Sequence, residues 1–472
     1  MRRAIYLLSV LAVVLFLLPQ CQCGPKEKKA KYVFYFIGDG MGVNQVNGTE
    51  MYLAEKEGRI GIKPLHFTQF PVVNFATTYS KYNSVTCSAA AGTALASGTK
   101  TKNGTIGMDS LHQAPLYSVA TKAKEAGKKV GITTSVSVDH ATPAVFYAHR
   151  PDRGMSYEIG TDLPKAGFDF YAGAGFVQPN KKDSTAINLY ELFDKEGYTV
   201  IRGMEEYKAK AGDAGKLIFI QQEGSDNFSL PYAIDRSGND LTLAQITENA
   251  IEFLTRNNDN GFFLMVEGGK IDWACHGNDA ATAFREVVDM DEAVQKALDF
   301  YNQHPDETLI VITADHETGG IVLGTGKYAL NLQALQYQKV SKDKLTAKLH
   351  QLREEKGNKV SWEDVKSVLT ENLGFWNQVP LSVAQEARLK EVYKNTFGSK
   401  NAKPEKNLYS ENEQLAGEAI RILDGIAMVG WTSGSHSAGV VPVYAIGAGA
   451  QLFSGKLDNT DIPKRIAQAA GY

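Results

Sequence analysis

The sequence predicts an α/β fold: a doubly wound, mostly parallel central sheet with helices on both faces and a helical insertion before the last core strand. Three observations predict it. Five short runs rich in aromatic and β-branched residues, YVFYFIGDG, KVGITTSV, GFFLMVEGG, TLIVITADH and VPVYAIGAG, recur along the chain, most of them meeting Gly or an acidic residue at their end. Their continuous apolarity suits strands covered on both faces. Helical patterns such as LYSVATKAKEAGK and TAFREVVDMDEAVQKALDFYNQ lie between them. Residues 325–430 read instead as helix after helix, and a core strand follows at VPVYAIGAG.

Taken in order, residues 1–23 (MRRAIYLLSVLAVVLFLLPQCQC) carry two arginines and then an apolar core. That core is shorter than the roughly 20 residues a spanning helix needs, which is the pattern of a secretory signal peptide. The chain is therefore expected in the periplasm or outside the cell, and a membrane attachment would require lipidation at Cys21 or Cys23. Residues 24–324 and 431–472 form the α/β domain on this reading. Residues 325–430 form the helix-rich insertion, where SWEDVKSVLTENL opens with a capping-box spacing from Ser361 to Asp364. The insertion is expected to form either a crown over the active-site edge or a homodimer contact.

With 43% apolar and 22% charged residues in 472, the chain can bury a large core. A net charge of −3 leaves no basic field for nucleic acid, so any phosphate recognition has to be local. Cys87 and Cys275 are the cysteines beyond the leader, which excludes a disulfide scaffold, and they read as free thiols.

The strand ends carry the chemistry. Asp39, Glu267 and Asp315 each follow or close an apolar run. A buried strand gains nothing from a charge at its tip, and several carboxylates at one sheet edge repel unless a cation neutralises them. In EGGKIDWACH, Asp272 and His276 are four apart, so a helix presents both on one face. His316 follows Asp315, and His436 sits in the small-residue loop WTSGSHSAG. Imidazole with carboxylate suits zinc and oxygen-only ligands suit magnesium. The set has enough histidines for two zinc sites and enough oxygens for a third, magnesium-type site.

Ser88 stands at the head of SAAAGTALASG with no base beside it in sequence. Metal coordination lowers a hydroxyl's pKa without a neighbouring base, and a helix start there favours an anion.

These residues resemble a family. GDGMG, VTCSAAAGTALASG, HATPAVFYAHRPDR, VEGGKIDWACH, TADHETGG and WTSGSHSAG occur in the order seen in the metal-dependent alkaline phosphatases. The resemblance implies a phosphomonoesterase that releases inorganic phosphate through a phosphoserine on Ser88. It implies that Asp39, Asp315 and His316 bind the zinc that activates Ser88. Asp272, His276 and His436 would bind the zinc at the leaving-group oxygen, and Glu267 and Thr142, with Asp39 bridging, the magnesium. Arg153 matches the guanidinium that grips phosphate, with Arg150 as its rival. Three positions depart from the well-studied bacterial pattern. Cys87 replaces an Asp that orients the Arg, His140 an Asp, and Trp273 a Lys. His140 beside the third metal favours another divalent ion over magnesium there, and loss of the Lys favours earlier phosphate release.

A phosphodiesterase of the same superfamily is the main alternative, and a secreted metal- or phosphate-binding protein without catalysis is a weaker one. A gripped dianionic end argues against the first, and a metal-poised hydroxyl against the second. Histidines 66, 112, 149, 304 and 350 have no partner pattern, and Cys275 reads as packing.

Overall fold

In the computed structural model, residues 29–181, 186–222, 224–226, 228–326, 328–356, 359–397 and 403–472 are described. The expected signal peptide, with Cys21 and Cys23, lies outside them.

A ten-stranded sheet forms the centre. Its strands are β1 (Tyr32–Gly38), β2 (Val72–Thr77), β3 (Lys129–Thr134), β4 (Phe170–Gly173), β5 (Tyr198–Arg202), β6 (Lys216–Ile220), β7 (Phe262–Gly268), β8 (Thr308–Ala314), β9 (Val441–Gly447) and β10 (Leu457–Asp458). They lie in the order β10-β2-β9-β8-β1-β7-β3-β4-β6-β5. All neighbours run parallel except β9, which is antiparallel to β2 and to β8. The five apolar runs are β1, β3, β7, β8 and β9. Every residue of β1, β7 and β8 is buried, as strands covered by helices on both faces must be.

Strand register delivers the site. Gly38 pairs with Ala314 across β1 and β8, so Asp39 and Asp315 leave the sheet side by side. Ile37 pairs with Glu267 across β1 and β7, and Thr134 with Glu267 across β3 and β7. The carboxylates thus gather at the carboxyl ends of the central strands, where open α/β sheets bind ligands.

Residues 325–430 contain helices Lys342–Lys356, Trp362–Leu373, Val383–Phe397 and Gln414–Ile426. The capping box forms: the Ser361 hydroxyl accepts from the Asp364 N–H, and the Asp364 carboxylate accepts from the Ser361 N–H. The helices share a second apolar core around Leu349, Leu369, Leu389 and Leu423, which extends to Tyr52 and Phe284 of the α/β body. A short antiparallel pair, Ile321–Leu323 with Val429–Trp431, joins the two ends of the segment. A further hairpin, Glu405–Lys406 with Glu411–Asn412, was not legible in the sequence. Among the described residues no helix is long and apolar enough to cross a membrane.

Candidate active site

Ser88 opens the helix Ser88–Ser97, with Cys87 as its N-cap. Every residue from Ser88 to Ala96 is buried, and a Cβ on Gly92 would lie 3.1 Å from Val145 and 3.6 Å from the Thr142 backbone. The small side chains are what let this helix pack against Ala141–Ala144, so Ser88 and Thr142 reach the same sheet edge. Gly40 has a similar part. Its φ of +73° is left-handed, and a Cβ there would sit 2.8 Å from the Asp272 backbone.

Three groups of ligating atoms result, each with its members within 4.8 Å of one another: Asp272, His276 and His436; Asp39, Asp315 and His316; Asp39, His140 and Glu267. Asp39 belongs to two of them. The Thr142 hydroxyl lies 3.5 Å from Asp39 Oδ2.

The ring partners fix which nitrogen is free. His276 Nδ1 meets the Gly434 carbonyl at 2.7 Å and His436 Nδ1 the Thr86 carbonyl at 2.9 Å. A carbonyl only accepts, so both rings donate there and both Nε2 atoms present lone pairs. Those two Nε2 atoms are 3.2 Å apart. His316 follows the same logic through a side chain. The Thr318 hydroxyl donates to Asp272 Oδ1 at 2.5 Å and accepts from His316 Nδ1 at 3.2 Å. His316 Nε2 is then a lone pair 3.2 Å from Ser88 Oγ, 3.2 Å from Asp315 Oδ2 and 3.5 Å from Asp39 Oδ1. Facing lone pairs and carboxylates repel, and a cation between them removes the conflict. Asp39 Oδ1, Glu267 Oε1, Asp272 Oδ2 and Asp315 Oδ2 are buried without a hydrogen-bond partner, as metal-facing oxygens would be. The donor set fits divalent ions.

Electrostatics register the same crowding. Burial and the charges of Asp315, Asp272 and Glu267 push the Asp39 carboxyl well up, and burial with Asp272 lifts Asp315 to about 8. Burial also raises Asp272, but His276, His316 and His436 outweigh it and hold its pKa low. Burial pushes the His316 imidazole well down.

Arg153 and Arg150 part company. Arg150 Nη2 pairs with Asp162 at 2.6 Å, whereas Arg153 Nη2 lies 3.2 Å from His140 Nε2. Arginine only donates, so His140 Nε2 accepts, and its Nδ1 carries the proton 3.6 Å from Glu267 Oε1. In that tautomer His140 orients the guanidinium. Among the described residues no carboxylate pairs with Arg153. Cys87 Sγ accepts from the Gly104 N–H at 3.1 Å. Cys275 is a buried free thiol 3.8 Å from Gln45 Nε2.

Trp273 is covered by a residue the sequence did not single out. Tyr409, from the hairpin loop of the helix-rich segment, stacks on it with centroids 4.4 Å apart and planes at 11°. The Tyr409 ring also meets His276 edge-on at 5.4 Å. No spacing signal marks Tyr409, because it reaches the site by tertiary folding of a remote segment. The second partners Thr86, Thr318 and Gly434 were equally silent in the sequence. A cavity of about 510 Å³ opens beside His276 and His436, walled by Thr86, Asn103, Lys406 and Leu408.

Comparison with known proteins shows the family. A family model described as alkaline phosphatase matches residues 30–169 and 179–472. Alkaline phosphatase 3 of Bacillus subtilis is 32% identical over 467 residues, covering 96% of this chain and 93% of that protein. The crystal structure of a cold-active alkaline phosphatase from the psychrophile Shewanella sp. superposes with a TM-score of 0.77 at 28% identity, covering 93% of this chain and 99% of that one. The Thermus thermophilus alkaline phosphatase structure gives 0.75 at 27% identity, covering 96% of each chain.

Proposed function

Since the chain belongs to the alkaline phosphatase family of metal-dependent phosphomonoesterases, we propose that it is an exported enzyme that hydrolyses small phosphate monoesters through a phosphoserine on Ser88. The observation that carries this reading is the gathering of three Nε2 lone pairs and four unpartnered carboxylate oxygens at one sheet edge, with His316 Nε2 against the Ser88 hydroxyl. Asp39, Asp315 and His316 would hold one zinc, Asp272, His276 and His436 a second, and Asp39, Glu267 and Thr142 a magnesium-type ion. These ions, when bound, supply Lewis acidity at the attacking and departing oxygens.

The protein's own groups do the rest. Ser88 Oγ, its proton given up to solvent water, attacks phosphorus in line with the ester oxygen, the P–O ester bond breaks, and the alkoxide leaves and takes a proton from water. A water then cleaves the phosphoserine and releases inorganic phosphate, regenerating Ser88. Ser88 Oγ lies 3.2 Å from His316 Nε2, the nitrogen that would hold the zinc, so the hydroxyl would be acidified by that ion and not by a protein base. Arg153 offers two parallel N–H donors to the nontransferring oxygens, and His140 keeps the guanidinium aimed. The start of the helix Ser88–Ser97 adds backbone N–H groups beside the anion. His140, so placed, acts on Arg153 and keeps no lone pair for an ion, so a third ion other than magnesium would need the opposite tautomer of His140.

The test is direct. Brief reaction with a phosphate monoester at low pH, followed by acid quench and mass spectrometry, is expected to place a phosphate on Ser88. Ser88→Ala is expected to lower kcat/KM by about 10³ or more while retaining bound zinc. Undiminished turnover in Ser88→Ala would overturn the mechanism.

A further inference from the structure

Tyr409 lies in the turn between Glu405–Lys406 and Glu411–Asn412. The turn is built, not loose: Asn407 Oδ1 accepts from the backbone N–H groups of Tyr409 at 2.8 Å and Ser410 at 2.7 Å. Asn412 anchors the hairpin to Asp343 at 2.7 Å, and Glu405 pairs with Arg421 at 3.2 Å. The ring is fixed as well, flat on Trp273 and edge-on to His276. Trp273 is itself held from Lys270, whose ammonium sits 4.6 Å from its ring. A hairpin of the helix-rich segment thus delivers one phenol, in one orientation, to the catalytic edge of the sheet.

The phenol's hydroxyl is buried, and among the described residues no group accepts its proton. It lies beside the Arg153 guanidinium, near enough for each to perturb the other's ionisation. Burying a hydroxyl without a partner costs free energy, and such groups in native proteins usually meet a ligand or water. The neighbouring guanidinium has only donors, so it offers nothing to the phenolic proton. An anion gripped by Arg153 does: one of its oxygens would accept from both groups.

Resting on the reading of Ser88 and Arg153 given above, we propose that the Tyr409 hydroxyl is a second donor to the nontransferring oxygens of the phosphoryl group, supplied by the helix-rich segment and positioned by the Trp273 indole. Trp273 is then a shelf that sets the height of the phenol. The segment takes part in the chemistry at the one point where Tyr409 crosses the site.

The zinc- and magnesium-loaded enzyme tests this with inorganic phosphate as the probe, read as its inhibition constant against p-nitrophenyl phosphate hydrolysis. Tyr409→Phe keeps the ring on Trp273 and removes only the hydroxyl. It is expected to weaken phosphate inhibition by about tenfold, with unchanged melting temperature and zinc content. Trp273→Ala is expected to weaken phosphate inhibition in the wild-type background and to add little in Tyr409→Phe, because both remove the same donor. An inhibition constant for Tyr409→Phe within twofold of wild type overturns the proposal, as does full additivity of the two changes. A wild-type enzyme that neither hydrolyses p-nitrophenyl phosphate nor binds phosphate defeats the functional reading itself, which separates that failure from this one.

Discussion

At the scale of the residue, two arginines three positions apart have opposite fates. Arg150 is tied to Asp162, and Arg153 faces the ligand cluster through His140. Arg153→Ala is therefore expected to lower kcat/KM for monoesters by about 100-fold, the worth of two charge-assisted bonds. Arg150→Ala is expected to lower the melting temperature and leave the steady-state constants near wild type; matching kinetic losses in the two variants would contradict the assignment. Asp139 gives a test through pH. Burial lifts its carboxyl from the usual 3.8 to about 6, against the pull of the Val177 N–H at 3.1 Å. A carboxyl raised in the folded state binds its proton more readily folded than unfolded, so its contribution to stability is present at low pH and is lost as pH rises from about 4 through about 6. Asp139→Asn removes that loss, so its stability relative to wild type is expected to rise by about 3 kcal/mol between pH 4 and pH 7. A difference from wild type that stays constant across this range, in denaturant titrations, would refute it. The candidate ligands were legible because carboxylates and histidines beside apolar strands have no bland explanation in number. The groups that set their tautomers were not, since a Thr86 carbonyl or a Thr318 hydroxyl looks like any other until the chain is folded.

At the scale of the element, long buried strands announced themselves and short ones did not. β1, β7 and β8 each run seven buried residues, whereas β2 alternates in exposure and β4, β5 and β6 span four or five residues. Apolar runs that short are not separable from buried helix or loop by pattern. The helix Val43–Lys56 was missed for another reason: it mixes Gln45, Gly48 and Thr49 into its buried face, so its apolar period is weak. Capping was readable, and Ser361→Ala is expected to cost about 1 kcal/mol in a denaturation midpoint without altering turnover. Gly40→Ala should behave in the opposite way. Its added methyl would press on the Asp272 backbone at 2.8 Å, so zinc retention is expected to fall much further than global stability. Equal metal content in Gly40→Ala and wild type would show that this close approach is dispensable.

At the scale of the whole molecule, one sheet edge collects candidate ligands from segments as distant as Asp39 and His436, and a second helical core overlies the α/β body through Tyr52 and Phe284. Without ions the buried carboxylates and facing lone pairs stand unopposed, so chelation of the zinc-loaded protein is expected to lower the melting temperature, with recovery on adding zinc. The fold class followed from strand and helix order, and the candidate ligand set was proposed from six ordered motifs. What the helix-rich segment contributes to the site became visible only when its hairpin brought Tyr409 onto Trp273. The central claim, a site shaped for a dianionic phosphoryl end, is tested most directly by the ratio of phosphomonoester to phosphodiester hydrolysis. It is measured on the purified chain loaded with zinc and magnesium at mildly alkaline pH. The account predicts a large ratio that collapses in Arg153→Ala; a ratio near or below one in the wild-type enzyme would contradict it.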